Sequence, residues 1–276
     1  MASSLWEERL GTMRQRILEA MNVKQKIRKY LPHEMGRVEH LFAAWEETAI
    51  WSCLQGIMGS VYAPDAACPQ SAAAQLNDFC FLAGKPCAEL VDFFTGQNLI
   101  LTPQNEEWAV LIESVCAGRV KRQMRYAIKK DPNCFDAAKL EALAHSLPEK
   151  YSCMQIERGL YDQCLASKWS RDLVSSFPTY EELERLGLGI VITANGKIVA
   201  GASSYSRYSG GIEIEIVTRM EYRQQGLAAA VGAALILECL RRGWYPSWDA
   251  YSKTSVALAE KLGYAFSHEY PVYYEI

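Results

Sequence analysis

A chain of 276 residues that is 50% hydrophobic and 22% charged can fill the core of one large domain or two medium ones, which excludes disorder for most of it. A formal charge of -3 and a pI near 5.9 exclude the basic footprint of a nucleic-acid binder and favour a small metabolite or a protein as partner. Nine scattered cysteines, at positions 53, 68, 80, 87, 116, 134, 153, 164 and 239, form no CxxC pair or His-rich spacing, so no metal is expected; reduced, mostly buried thiols in a cytoplasmic protein are.

"MASSLWEERLGTMRQRILEA" places Leu5, Leu10, Met13, Ile17 and, just beyond the quoted stretch, Met21 at helical spacing behind Ser3 and Ser4. It predicts an amphipathic helix with no signal-type apolar core. A second helix is expected over "EMGRVEHLFAAWEE". Then come runs read as β-rich, "AIWSCLQGIMGSVYAPD", "DFCFLAG" and "NLILTP", with helices over "CAELVDFF" and "NEEWAVLIESVCA". "APDAACPQSAAAQ" reads as an exposed loop, and "RVKRQMRYAIKK", alternating Val120, Met124, Tyr126 and Ile128 with charge, as a half-buried strand whose basic face is solvated or, as the alternative, contacts a polyanion. One more helix ends at Leu147-Pro148, where the domain boundary is expected, giving domains 1–147 and 148–276.

The second half follows a compact order: strand "SCMQIE", helix "GLYDQCLA", and helix "TYEELERL" with Thr179 as cap and Glu182 three residues on. Asn195-Gly196 between two β-branched runs predicts a hairpin. "GIEIEIVT" sets Ile against Glu213 and Glu215 on opposite faces. The helix within "EYRQQGLAAAVGAALILECL", the run "YPSWDAY", the helix "SVALAEKLG" and the strand "SHEYPVYYEI" complete the chain. This order implies a mixed sheet with helices on both faces. No stretch approaches the ~20 consecutive apolar residues that span a bilayer, so no membrane partner is expected.

A strand ending at Thr218, a short turn and a helix starting near Gly226 aim unpaired backbone N–H groups at one point, where the helix dipole favours an anion. A glycine there lets a phosphate approach the backbone, and Arg223 adds a positive charge. Neither a Rossmann fingerprint nor a P-loop is present.

"IEIEIVTRMEYRQQGLAAAV" resembles the strand–turn–helix of the GNAT N-acetyltransferase superfamily, whose R-x-x-G-x-G/A cradles the acetyl-CoA pyrophosphate. "SVALAEKLGYAF" is similar to that family's later helix, and "GIVITANGKIVAGASS" to its preceding hairpin. "YPSWDAYSKTSVALAEKLGY" and "SSYSRYSGGIEIEIVT" further resemble the zwittermicin-resistance-type branch, a likeness that extends to "GSVYAPD" and "FCFLAG" in the first half. The resemblance implies an α+β (α/β) fold with a mixed, mostly antiparallel twisted sheet flanked by helices, preceded by a separate α+β N-terminal domain. That first domain would be a degenerate GNAT-like module, a pocket-shaping element or a dimer contact.

The same resemblance implies acetyl-CoA as co-substrate. Gln224, Gln225, Gly226, Leu227 and Ala228 would meet the pyrophosphate beside Arg223; Ile216, Val217 and Thr218 would edge the pantetheine, with Val217 or Thr218 donating to the thioester carbonyl. Ser252 and Ser255 on the later helix complete the cofactor set. Where relatives carry an asparagine and a tyrosine, this chain has Ser252 and Ala259, so Tyr251, Tyr222, Tyr270 or water would protonate the leaving thiolate. Glu215, with Glu213 as alternative, is the candidate base. Asp249 and His268 are assigned first to structure.

The expected activity is direct acetyl transfer to a primary amine of a small molecule, such as an aminopolyol or aminoglycoside-like antibiotic, by a monomer or homodimer. The hydroxyl-rich "SSYSRYSG" would line a polyol pocket or form an ordinary polar strand edge. The alternatives are a non-catalytic acyl-CoA-binding or sensing protein and a protein or peptide N-acetyltransferase.

Overall fold

The computed structural model describes residues 26–276, so the helix expected over the first 20 residues lies outside the described residues. The chain divides into two units, one comprising residues up to Met124 together with Pro271–Ile276, the other Arg125–Tyr270. Residues 125–147, grouped by the sequence reading with the first half, lie in the second unit.

The first unit begins with strand β1 (Ile27–Tyr30) and two short 3-10 segments, Pro32–Arg37 and Glu39–Phe42. An α-helix was expected there, but the backbone closes i to i+3 bonds instead, Val38 N–H to Met35 O and Leu41 N–H to Val38 O. Gly36 weakens an α-helix there, and Glu34 is drawn to Arg28 (2.7 Å). The supposed β-rich run starts as helix α1 (Thr48–Leu54), whose Ile50 and Cys53 are buried, and only then becomes strand β2 (Ser60–Pro64).

The expected loop is corrected more sharply. Ser71–Leu76 is strand β3, with Ala72, Ala73 and Ala74 buried between β2 and β4 (Phe79–Gly84). Alanine is a poor strand former and the run has no alternation, because both faces are covered. Helix α2 (Ala88–Phe94), strand β5 (Ile100–Pro103) and helix α3 (Glu106–Cys116), capped by Asn105, follow as expected. Tyr273 and Tyr274 return to pair with β5. The core gathers Leu82, Leu90, Phe94, Leu101, Trp108 and Ile112.

In the second unit the end of strand β6 (Val120–Ile128) leads to helix α4 (Ala137–Ala144), which stops a few residues before the expected Leu147. Strand β7 (Tyr151–Gln155), helices α5 (Arg158–Ala166), α6 (Asp172–Ser175) and α7 (Tyr180–Leu186), and strands β8 (Gly189–Ala194), β9 (Lys197–Tyr208) and β10 (Gly211–Thr218) follow. Thr179 caps α7 by accepting the Glu182 N–H (3.3 Å). Asn195 and Gly196, both left-handed (φ 50 and 73), make the predicted hairpin.

Helix α8 (Leu227–Arg241), strands β11 (Tyr245–Ser247) and β12 (Asp249–Ala250), helix α9 (Lys253–Leu262) and strand β13 (Phe266–Glu275) complete the chain. The five-stranded sheet runs β11-β10-β9-β8-β7, parallel only between β10 and β11.

Both units repeat one pattern of pairing. β1–β2, β2–β3 and β3–β4 are antiparallel and β4–β5 parallel; β7–β8, β8–β9 and β9–β10 are antiparallel and β10–β11 parallel. In each, one helix joins the two parallel strands, α2 in the first unit and α8 in the second.

Candidate active site

Strand β10 has two unlike faces. Ile212 and Ile214 are buried in one cluster with Val231, Leu235 and Ile236 of α8, and Ile216 packs against that cluster. Period-two alternation puts Glu213, Glu215 and Val217 on the opposite face. Gly201, directly across from Val217, faces Leu173 of α6, so the carboxylates share their face with the α5–α6 side of the sheet.

The parallel pairing of β10 with β11 ends at Glu213 and Ser247. From Ile214 to Thr218 only Ala200–Ser204 of β9 runs alongside. One backbone edge of β10 is therefore available to an extended ligand, as in any strand whose neighbour diverges. Ile216, Val217 and Thr218 lie on it half-buried, and the Thr218 hydroxyl is buried without a hydrogen-bond partner among the described residues.

The chain then turns through a single 3-10 turn, Met220–Tyr222, into α8. Arg223, Gln224, Gln225 and Gly226 are exposed, whereas Leu227, Ala229 and Ala230 are buried and Ala228 half-buried. Gln224 (φ 60) and Gly226 (φ 81) are both left-handed. Nothing lies within 4 Å of where a Gly226 Cβ would stand. The helix carries no side-chain cap at this end, so its first N–H groups face outward beneath the positive end of a 15-residue helix. The Arg223 guanidinium reaches back to the Thr218 carbonyl (Nε–O 3.3 Å), bracing the turn while keeping its charge beside it. This arrangement can hold a diphosphate.

The turn has a support that sequence reasoning missed. The buried Tyr151 of β7 donates its phenol to Gln225 Oε1 (2.7 Å), and Gln225 Nε2 donates to Glu221 O (3.4 Å). Tyr151 also meets Tyr222 edge-on at 6.5 Å. In sequence Tyr151 fell just outside the expected strand "SCMQIE", and the 74-residue separation hid its partner.

The residues predicted on the later helix behave differently. Ser252 Oγ accepts the Ser255 N–H (3.3 Å), capping α9. Ala259 is fully buried, and Tyr251 is 55% exposed, its ring 5.8 Å from the Arg125 guanidinium. Asp249 is held on both oxygens, by Arg125 (2.5 Å) and by the Tyr270 phenol (2.5 Å). The Tyr270 phenol thus donates its O–H to Asp249. His268 is exposed and 3.0 Å from Ser267 Oγ.

All nine cysteines are free. Burial pushes the thiols of Cys53, Cys164 and Cys239 up to about 12, so they stay protonated and poorly nucleophilic near neutral pH. Tyr208, beside Glu213 and 3.1 Å from Ser247 Oγ, is pushed up to about 12 chiefly by burial and stays neutral. No helix among the described residues is long and apolar enough to cross a membrane.

The family model for GNAT acetyltransferase matches residues 39–273. An uncharacterized N-acetyltransferase of Bacillus subtilis (strain 168), YdfB, is 25% identical over 241 residues, 82% of this chain and 90% of that protein. A GCN5-related N-acetyltransferase-like protein from Streptococcus suis 89/1591 superposes with a TM-score of 0.86 at 48% identity, covering 90% of this chain and all of that one. A tandem GNAT protein from the clavulanic acid biosynthesis pathway shares the fold, with a TM-score of 0.57 at 12% identity over 91% of this chain and 98% of its own. With a family model spanning both units, this chain belongs to the GNAT acetyltransferase family.

Proposed function

We propose that the second unit binds acetyl-CoA between Ile216 and Ala228 and transfers its acetyl group to a primary amine of a small molecule. The observation that carries this reading is the open β10 edge running into an uncapped helix start at Gly226. Space beside Gly226 fits a pyrophosphate, and the orphaned Thr218 hydroxyl beside the strand edge fits a pantetheine that brings amide groups.

Acetyl-CoA, once bound, supplies an acetyl group activated as a thioester. The N–H groups of Gln224–Ala228 hold the phosphates, with Arg223 beside them. The backbone N–H of Thr218 donates to the carbonyl oxygen, a donor fixed before charge develops; Val217, the other expected donor, lies two residues from Arg219, whose N–H bonds Val199 O, so its N–H turns into β9 instead. Glu215 takes the proton of the acceptor ammonium, directly or through one water, because an ammonium has no lone pair. Glu213 adds negative charge that favours a cationic acceptor. With Ala259 buried where relatives carry a tyrosine, the leaving thiolate takes its proton from Tyr251, Tyr222 or water. Direct transfer is favoured over an acyl-enzyme because none of the nine cysteines lies in a recognisable Cys-His pattern of the sequence.

The first unit reads as a copy of the same fold that has lost the cradle. It leaves one acetyl-CoA site per chain.

A CoA-thiol release assay against a panel of amines tests the reading. Acetyl-CoA-dependent acetylation of a small amine, with Glu215→Gln lowering kcat while acetyl-CoA still binds, is the expected result. Binding without turnover of any amine would mark an acyl-CoA-binding protein, and turnover confined to peptides would mark a peptide N-acetyltransferase.

A further inference from the structure

The face of the sheet that carries Glu213 and Glu215 also carries two serines. In an antiparallel pair, directly opposite residues share a face. Glu215 stands opposite Ser203 and Glu213 opposite Ser206, and the register shift between Glu213 and Ile214 takes up Tyr205, keeping both pairs on one side. Ser203 and Ser206 are fully buried, and neither hydroxyl has a hydrogen-bond partner among the described residues.

A buried hydroxyl without a partner is costly, and alanine, which recurs nearby in β9 as Ala200 and Ala202, would avoid the cost. Other polar groups of the strand are satisfied: Ser204 Oγ exchanges hydrogen bonds with the Leu188 backbone, and Tyr208 bonds Ser247. The two orphans are the ones beside the carboxylates. Further along the same face, Gly201 faces Leu173 and the surface is apolar. The face thus carries two carboxylate–hydroxyl pairs, two residues apart on β10 or roughly 7 Å, with Tyr208 and Ser247, bonded to each other, beyond Glu213.

We propose that Ser203 and Ser206 are specificity-determining residues of the acceptor site, and that the acceptor is an amine bearing a hydroxyl on a neighbouring carbon. This rests on the reading of Glu215 as base given above. An ionised carboxylate only accepts hydrogen bonds, whereas serine donates and accepts. A group matching one pair must bring N–H or O–H donors and can also accept from the serine. An ammonium satisfies Glu215 and the acceptor side of Ser203. A hydroxyl does both jobs at once between Glu213 and Ser206. In a vicinal amino alcohol the nitrogen and oxygen lie about 3 Å apart, and one hydrogen bond of about 2.8 Å at each end lets it span the two pairs.

The test compares 2-amino-1,3-propanediol with 2-aminopropane, which has the same carbon skeleton without hydroxyls. In the wild-type protein the diol is expected to be acetylated with a kcat/KM about tenfold or more above the plain amine, and Ser206→Ala to shrink that ratio by about tenfold. Ser203→Ala is expected to lower kcat/KM for both amines, since it faces the ammonium.

Equal kcat/KM for the two amines in the wild type, or an unchanged ratio in Ser206→Ala with a raised melting temperature, would overturn the proposal. Calorimetry of the diol separates this from failure of the acetyl-transfer reading. Diol binding that Ser206→Ala weakens, with no turnover, would leave the pocket standing and remove the catalytic role; no turnover and no Ser206-dependent binding would remove the pocket as well.

Discussion

Gly84 and Gly226 have nearly the same backbone, φ 79 and φ 81, and each lies on the path from a strand into the helix that follows it. They differ in what surrounds them. A Cβ on Gly84 would stand 2.3 Å from the Gln70 carbonyl oxygen, while one on Gly226 would meet nothing within 4 Å. In the first unit every donor at the strand end is used by the protein: Gly84 N–H goes to Gln104 Oε1 (2.9 Å), Lys85 N–H to Gln70 O (2.8 Å), and Pro86 has none. The Gly84 carbonyl takes the Trp108 indole N–H (2.8 Å). In the second unit a longer turn leaves its N–H groups facing outward, and the helix behind them has 15 residues rather than seven. One topology thus carries two unlike strand-to-helix turns, a short one closed by its own hydrogen bonds and a longer one left open.

The largest expected effect breaks the comparison from the first unit. Gly84→Ala forces a Cβ into backbone at a left-handed position, which costs roughly 2–4 kcal/mol of stability. Thermal unfolding should show a clear loss in melting temperature, with acetyl-CoA affinity in the folded protein at the wild-type value. An unshifted melting curve would contradict the packing described for Gly84.

Gly226→Val should do the reverse. The side chain fills the space a phosphate would use and strains a positive φ. An acetyl-CoA Kd at least about tenfold weaker is expected from that crowding, alongside a smaller drop in melting temperature than Gly84→Ala gives. Equal affinity by calorimetry in wild type and variant would refute the cradle. The same titration should give one acetyl-CoA per chain; two would mean that the first unit binds despite Pro86 and its short turn.

Much of the second unit was legible because its signals are local. Asn195-Gly196 fixes a hairpin, Ile–Glu alternation fixes the faces of β10, and Arg223–Gly226 before an apolar run marks the helix mouth. The first unit was less legible where burial on both faces erased alternation, as at Ala72–Ala74, and where a helical pattern containing Gly36 closed into 3-10 turns. Neighbours set by register or by long-range contact stayed hidden. Ser203 and Ser206 read as part of a hydroxyl run until the pairing with Glu215 and Glu213 was known, and Tyr151 gave no sign of its distant amide.

That tyrosine supplies the smallest effect and the finest test of how the turn is held. Gln225 is exposed, yet both ends of its amide are engaged, Oε1 by Tyr151 and Nε2 by the Glu221 carbonyl. The clamp fixes a segment containing the left-handed Gln224, so that loop order is present before ligand arrives and costs less on binding. Tyr151→Phe keeps the ring and its edge-on contact with Tyr222 and removes one hydrogen bond worth about 1 kcal/mol. If the bond organises the cradle, acetyl-CoA Kd should weaken about fivefold, with kcat at saturating acetyl-CoA nearly intact because Tyr151 touches no reacting atom. If it serves only the fold, melting temperature falls and Kd stays put. A matching loss of affinity in Gln225→Ala, not additive with Tyr151→Phe, would place both residues in one clamp; additive losses would separate them.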